Sequence, residues 1–165
     1  PAMRIKAIET SYAGCRFRSR TEARWAAFFD SLGIPWEYER EGFELKSGRY
    51  LPDFWLPEQD CWIEIKGRRP TDREQTKARE LGRITRCEVY LFWGVPRCPD
   101  GVDREDAPGW RIWPDWDSWQ LWMEDSCGRI AIRYPNSNAR EMGARWDSER
   151  LQAAYTAARS ARFGR

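Results

Sequence analysis

The 165-residue chain contains no histidine. That absence removes whole classes of chemistry. Ser-His-Asp hydrolysis, HNH-type and phospholipase-D-type phosphodiester cleavage, and histidine-relayed ribonuclease mechanisms all need an imidazole as base, acid or nucleophile. The usual zinc sites are excluded as well, since cysteine alone would have to supply the full ligand set. Cys15, Cys61, Cys87, Cys98 and Cys127 are odd in number and form no CxxC pair, and Cys127-Gly128 is half of a zinc knuckle without its second half. This is the pattern of a reduced, cytoplasmic protein rather than a disulfide scaffold. Hard oxygen ligands remain for a metal, and they suit Mg²⁺ or Mn²⁺.

Long apolar runs are missing too, so neither a membrane span nor a signal peptide is expected. Pro1-Ala2 ahead of Met3 reads as the remnant of a cleaved tag. Lysine is scarce: Lys6, Lys46, Lys66 and Lys77 are all there are among 28 lysines and arginines. The arginine preference suits bidentate phosphate contact, although a GC-rich codon usage produces the same bias. The net charge of +2 is too small to argue for nucleic acid by itself. At this length one domain with a real core is expected over residues 1–165.

What is present is concentrated between Tyr50 and Gly67: Tyr-Leu-Pro-Asp-Phe-Trp-Leu-Pro-Glu-Gln-Asp-Cys-Trp-Ile-Glu-Ile-Lys-Gly. Asp53 follows a proline. An apolar strand then carries Glu64 and Lys66, which alternation puts on one side. A turn at Pro57 to Asp60 folds Asp53 back toward that side. Two carboxylates so placed repel each other unless a divalent cation lies between them, and an ammonium beside it can orient or deprotonate a water. That is the apparatus of metal-dependent phosphodiester hydrolysis.

Upstream, Arg20 to Leu32 reads as a helix with Trp25, Ala26, Phe29 and Leu32 on its apolar face, ended by Gly33-Ile34-Pro35. Glu22 falls on the same face. One reading makes it a first-turn glutamate favoured by the helix dipole. The other brings it to the Asp53–Glu64 acids, because a buried glutamate is costly without a partner or metal.

Pro52-Asp53 followed by Glu64-Ile65-Lys66 resembles the PD-(D/E)xK signature of the restriction-endonuclease-like nuclease superfamily, and Ser19 to Trp25 is similar to the glutamate-bearing helix many of its members carry. The likeness covers roughly residues 12–93. It implies an α/β fold with an α-β-β-β-α-β core: a mixed central sheet flanked by helices. The expected elements are helix 20–32, strands at Trp36–Arg40, Phe43–Leu45, Tyr50–Leu56 and Cys61–Lys66, helix Thr71–Thr85 with Ala78, Leu81 and Ile84 inward, and strand Cys87–Trp93. The resemblance further implies a Mg²⁺- or Mn²⁺-dependent endonuclease acting on DNA. Asp53, Glu64 and the Ile65 backbone carbonyl would hold the metal, Lys66 would position or activate the water, and Glu22 would complete the acid cluster or hold a second cation. Gln75 and Lys77 stand where several members place further polar residues. Arg16, Arg18, Arg20, Arg24, Arg68, Arg69 and Lys77 would flank the site along the DNA backbone. Cutting both strands usually takes two such sites, so a homodimer is one form the resemblance allows, and the oligomeric state stays open.

Beyond Gly94 the likeness fades into a Trp-rich extension, residues 94–165. Gly94 to Gly109 is loop-like, and tryptophan then recurs every third position at Trp110, Trp113, Trp116, Trp119 and Trp122. These rings could stack on bases. A short strand and helix packing them onto the core or a partner subunit is the favoured reading, with most of them buried. Arg129 to Tyr134 reads as a last strand. From Asn138 the chain turns helical with an interruption at Gly143, and Leu151, Ala154, Tyr155 and Ala158 form an apolar stripe opposite Arg150, Arg159, Arg162 and Arg165. Two other readings stay open: a nuclease-derived DNA-binding subunit that does not cut alone, and a partner-binding protein built on the tryptophans.

Overall fold

Ser19 starts the first helix. Its backbone is extended and its Oγ accepts the Glu22 amide at 3.2 Å, satisfying one of the free donors of the first turn. Gly33, in the left-handed region at φ 69°, ends the helix. A computed structural model describes residues 7–100, 108–113, 116–134 and 143–164, with backbone alone at 113 and 116–119. Residues 1–6, 101–107, 114–115, 135–142 and 165 lie outside the described residues, and with them the helical start expected from Asn138. The expected burial of Trp113, Trp116 and Trp119 falls on side chains outside them too.

The elements are β1 (Thr10–Tyr12), β2 (Cys15–Phe17), α1 (Arg20–Leu32), β3 (Glu37–Tyr38), β4 (Phe43–Leu45), β5 (Gly48–Tyr50), β6 (Phe54–Leu56), β7 (Cys61–Lys66), α2 (Asp72–Thr85), β8 (Glu88–Trp93), β9 (Gly109–Trp113), β10 (Trp116–Glu124), β11 (Ile130–Arg133) and α3 (Glu149–Ser160). The fold is mixed α/β. Seven strands form one sheet in the order β11-β10-β9-β8-β7-β6-β3, and β1-β2 and β4-β5 are separate hairpins. Strands β7 and β8 are parallel and joined through α2, while the other neighbours in the sheet are antiparallel.

Alternation along the strands divides the core in two. Phe54, Ile63, Ile65, Tyr90, Phe92 and Trp122 meet α1 and α3. Trp55, Trp62, Val89, Leu91 and Ile112 meet Ala78 and Leu81 of α2. The first core is aromatic. Phe28 stacks on Tyr155 at 4.8 Å, and Trp25 meets Phe92 at 5.0 Å. Such pairs add about 0.5–1.5 kcal/mol each beyond area burial. Gly109 is required where β9 passes β8, since a Cβ there would meet the Phe92 ring at 2.5 Å.

Helices α1 and α3 run antiparallel and cap each other. Arg24 on α1 donates to the Ala158 carbonyl at 2.7 Å and to that of Arg159. Arg150 on α3 donates to the Leu32 carbonyl at 3.0 Å. Each guanidinium thus sits on the carbonyl-rich end of the partner helix, where a cation is favoured.

Several elements differ from the expected ones. The Tyr50–Leu56 run is two strands in different sheets, because Pro52 lacks an amide donor and breaks the ladder. Ile84 is exposed at 58%; it lies off the α2 stripe of Ala78, Leu81 and Gly82. The hairpin β1-β2 turns through Ala13 and Gly14, both at positive φ, ahead of the first helix. The tryptophan run is a β-hairpin rather than a strand and helix. Its register sets Trp119 opposite Trp110 and Trp116 opposite Trp113, and β9 to β11 extend the main sheet. A three-residue step fits neither the helix nor the strand period. Trp122 is fully buried against Phe28, Phe29 and Phe92, whereas Trp110 is half-exposed. Among the described residues no helix is long and apolar enough to cross a membrane. All five cysteines are free thiols.

Candidate active site

Strand β6 begins one residue after Asp53, and the turn 57–60 returns the chain as β7 with Leu56 opposite Cys61. This hairpin brings Asp53 alongside Glu64 and Ile65. The Asp53 amide donates to Glu64 Oε2 at 3.2 Å, and Asp53 Oδ2 accepts the Ile65 amide at 2.7 Å. Lys66, two residues on and on the same face, donates to Glu64 Oε1. Asp53 and Glu64 are 3% and 4% exposed. The acid pair and the lysine therefore occupy one buried spot at the end of β7.

The charges act on one another there. Burial, then the nearby Glu64 and Glu22 carboxylates, hold the Asp53 carboxyl well above the usual range. Burial alone would lower Lys66. Glu64 and Asp53 outweigh it and keep the ammonium above its ordinary value. Tyr50 is raised by burial and by the same two acids, and its hydroxyl, sealed beside them, makes no hydrogen bond of ordinary geometry.

Glu22 comes from α1, on the other side of the sheet, and reaches this spot through a relay. Its Oε2 accepts from the Tyr38 hydroxyl at 2.6 Å, and its Oε1 from Ser19 at 2.6 Å. The Tyr38 oxygen accepts the Arg18 amide at 3.1 Å. The Arg18 guanidinium then donates to Asp53 Oδ1 at 3.0 Å and pairs with Glu39 at 2.6 Å. Glu22 is 8% exposed and bonded to hydroxyls, not to an arginine. Among the described residues no three Asp, Glu or Cys side chains surround a common point that could hold a metal ion. The Ile65 amide, not its carbonyl, is the group tied to Asp53.

Glu64 and Lys66 open onto a cleft of about 270 Å³. Arg18, Arg49, Arg73 and Lys77 line it beside Tyr50 and Glu74, so the rim is basic around an acidic floor. A larger cavity of about 530 Å³ lies by the C-terminal end of α1 and β11 and contains neither the acid pair nor Lys66.

The basic residues named from the sequence divide. Arg18 touches the acids directly and Lys77 lines the cleft, its ammonium on the Arg49 carbonyl at 3.1 Å. Arg20 is exposed at the start of α1. Arg16 is exposed and paired with Glu9. Arg68 pairs with Glu74 at 3.1 Å, and Arg69 lies over the Trp110 ring at 4.6 Å. Arg24 is turned inward as the cap of α3, away from a backbone contact. Gln75 donates to the Pro70 carbonyl at 3.4 Å. Tyr38, Tyr50, Arg49 and Arg73 also belong to the site. They come from β3, the β4-β5 hairpin and α2, and no local spacing announces their meeting.

Neither a family model, nor a curated protein, nor a solved structure matches the chain.

The donor chemistry fits a hard divalent cation. Mg²⁺ takes one or two carboxylates and completes its shell with water and phosphate oxygens. Here the Asp53 and Glu64 oxygens accept from Arg18, the Ile65 amide, the Asp53 amide and Lys66, which a cation would have to displace in part.

Proposed function

We propose that this protein is a Mg²⁺- or Mn²⁺-dependent endonuclease of the PD-(D/E)xK, restriction-endonuclease-like kind that hydrolyses DNA phosphodiester bonds. One observation carries the reading: Asp53, Glu64 and Lys66 share a buried spot that opens into a cleft rimmed by arginine and lysine. The order α1-β3-β6-β7-α2-β8, its strands all in the main sheet, supports it, being the α-β-β-β-α-β order the motif implies, with the β4-β5 hairpin inserted.

Asp53 and Glu64 would hold the cation, which when bound polarises the scissile phosphate and stabilises the leaving oxygen. Lys66, held charged by the acids beside it, acts as an orienting donor to water or phosphate rather than as a resting general base. Arg18, Arg49, Arg73 and Lys77 neutralise and position the DNA backbone. Glu22 sets the Tyr38–Arg18 relay that faces Asp53.

The test is a panel of linear, nicked, branched and single-stranded DNA incubated with Mg²⁺, Mn²⁺, Ca²⁺ or EDTA. Cleavage of at least one substrate with Mg²⁺ or Mn²⁺, and none in EDTA, is the expected result. Silence across the panel contradicts the reading.

A further inference from the structure

We infer that Trp93 and Trp110, together with Arg69, form a stacking site for an unpaired base, so that the strand lying in the cleft is single-stranded or locally opened DNA. This rests on the nuclease reading for the place of the scissile phosphate. Lys66 and Trp93 are direct register partners on β7 and β8. Partnered residues share a face about 5 Å apart, so the Trp93 indole adjoins the lysine. Trp110, partnered with Leu91 on β9, meets the Trp93 ring edge-on at 5.0 Å and 66°.

Other tryptophans are occupied. Trp25 and Trp36 donate their indole N–H to the Gly94 carbonyl and to Asp30, and Trp55, Trp62 and Trp122 are sealed in the two cores. Trp93 and Trp110 are half-buried, Trp110 with part of its ring on the core of Trp55 and Trp62, and neither indole N–H makes a hydrogen bond among the described residues. The Arg69 guanidinium, an exposed group on the loop that follows Lys66, lies over the Trp110 ring at 4.6 Å. A guanidinium on an indole is a flat, weakly hydrated cover of the shape and polarity of a nucleobase. A base can take that place, and Arg69 is then freed for the adjoining phosphate. Bases inside a duplex are already stacked on their neighbours and would have to leave the helix to reach the ring. The site therefore selects unpaired nucleotides next to the cleavage point.

The experiment is fluorescence anisotropy with labelled DNA in EDTA, where no cleavage intervenes. A short oligothymidylate is compared with an abasic strand of the same length and charge, and with a duplex. Wild-type protein is expected to bind oligothymidylate about tenfold more tightly than the abasic strand, as loss of one stacked base implies. Trp110→Ala should close that gap without weakening the abasic strand or the duplex, and Trp110→Phe should keep most of it. Equal binding of oligothymidylate and the abasic strand by wild type overturns the proposal, as does a Trp110→Ala loss common to all three ligands. The wild-type comparison needs no variant, so misfolding of Trp110→Ala cannot mask the answer. Base-dependent binding without any metal-dependent cutting would sink the nuclease reading and leave the stacking site. Cutting of duplex without base discrimination would do the reverse.

Discussion

The Asp53 amide donates to Glu64 Oε2 at 3.2 Å, so one residue's backbone holds the other's carboxylate while their charges repel. The two acids are locked together by the β6-β7 hairpin before any ligand arrives. Charge gathered in this way costs stability and recurs at functional sites, although structural ion-pair networks show it as well.

That repulsion has a signature in pH. The Asp53 carboxyl is raised above its unfolded value by burial and by Glu64 and Glu22, with Lys66, Arg18 and the Ile65 amide opposing. The folded state therefore keeps a proton that the unfolded chain has released. The stability it contributes is present below the unfolded carboxylate range and is lost as pH rises through the folded value. Asp53→Asn lacks this titration and keeps an oxygen for the Ile65 amide. Thermal melts of the metal-free protein between about pH 4 and 8 should show wild type losing ground to Asp53→Asn as pH rises through the carboxylate range. Parallel curves would contradict the assigned electrostatics.

Glu22 touches the acids only through Tyr38 and Arg18. Glu22→Gln keeps an oxygen for the Tyr38 hydroxyl and removes the charge. The melting temperature should change little, while the Mg²⁺ concentration giving half-maximal cleavage should rise about threefold or more, as loss of one nearby negative charge requires. A clear drop in melting temperature with an unchanged Mg²⁺ titration would make Glu22 a purely structural residue.

Arg24 and Arg150 give a contrast, because each is bound to the end of the other's helix. Arg24→Ala removes charged hydrogen bonds to two carbonyls and should cost about 1.5–3 kcal/mol in chemical denaturation. DNA affinity and its salt dependence should stay at wild-type levels. Arg73→Ala, which alters only the cleft rim, should do the opposite: weaken DNA binding and flatten its salt dependence by about one phosphate contact. If Arg24→Ala flattens the salt dependence and Arg73→Ala does not, the roles assigned to the two arginines are reversed.

Helix α1 was legible because its signals are local: Ser19 caps it, Gly33 ends it, and Trp25, Phe29 and Leu32 mark one face. The meeting of Asp53, Glu64 and Lys66 was legible because a four-residue turn and strand alternation suffice to place them. The relay from Glu22 was only half legible, since a buried glutamate calls for a partner without naming Tyr38. Nothing local revealed Arg24 as a helix cap. Its partners are the carbonyls of Ala158 and Arg159, at the far end of the chain. The tryptophan hairpin is not legible, because a three-residue repeat matches neither the helix nor the strand period. Only the pairing of β9 with β8 and β10 decides which rings are sealed and which reach the surface.

The central claim is tested most directly by single-turnover cleavage of the preferred DNA substrate in Mn²⁺ by wild type, Asp53→Ala, Glu64→Ala and Lys66→Ala. Circular dichroism of each variant controls for folding. Each variant should retain the fold and lose at least about a hundredfold in rate, as removal of a metal ligand or water-orienting group demands. Wild-type rates in any one of the three would contradict the assignment of this site as a metal-dependent nuclease centre.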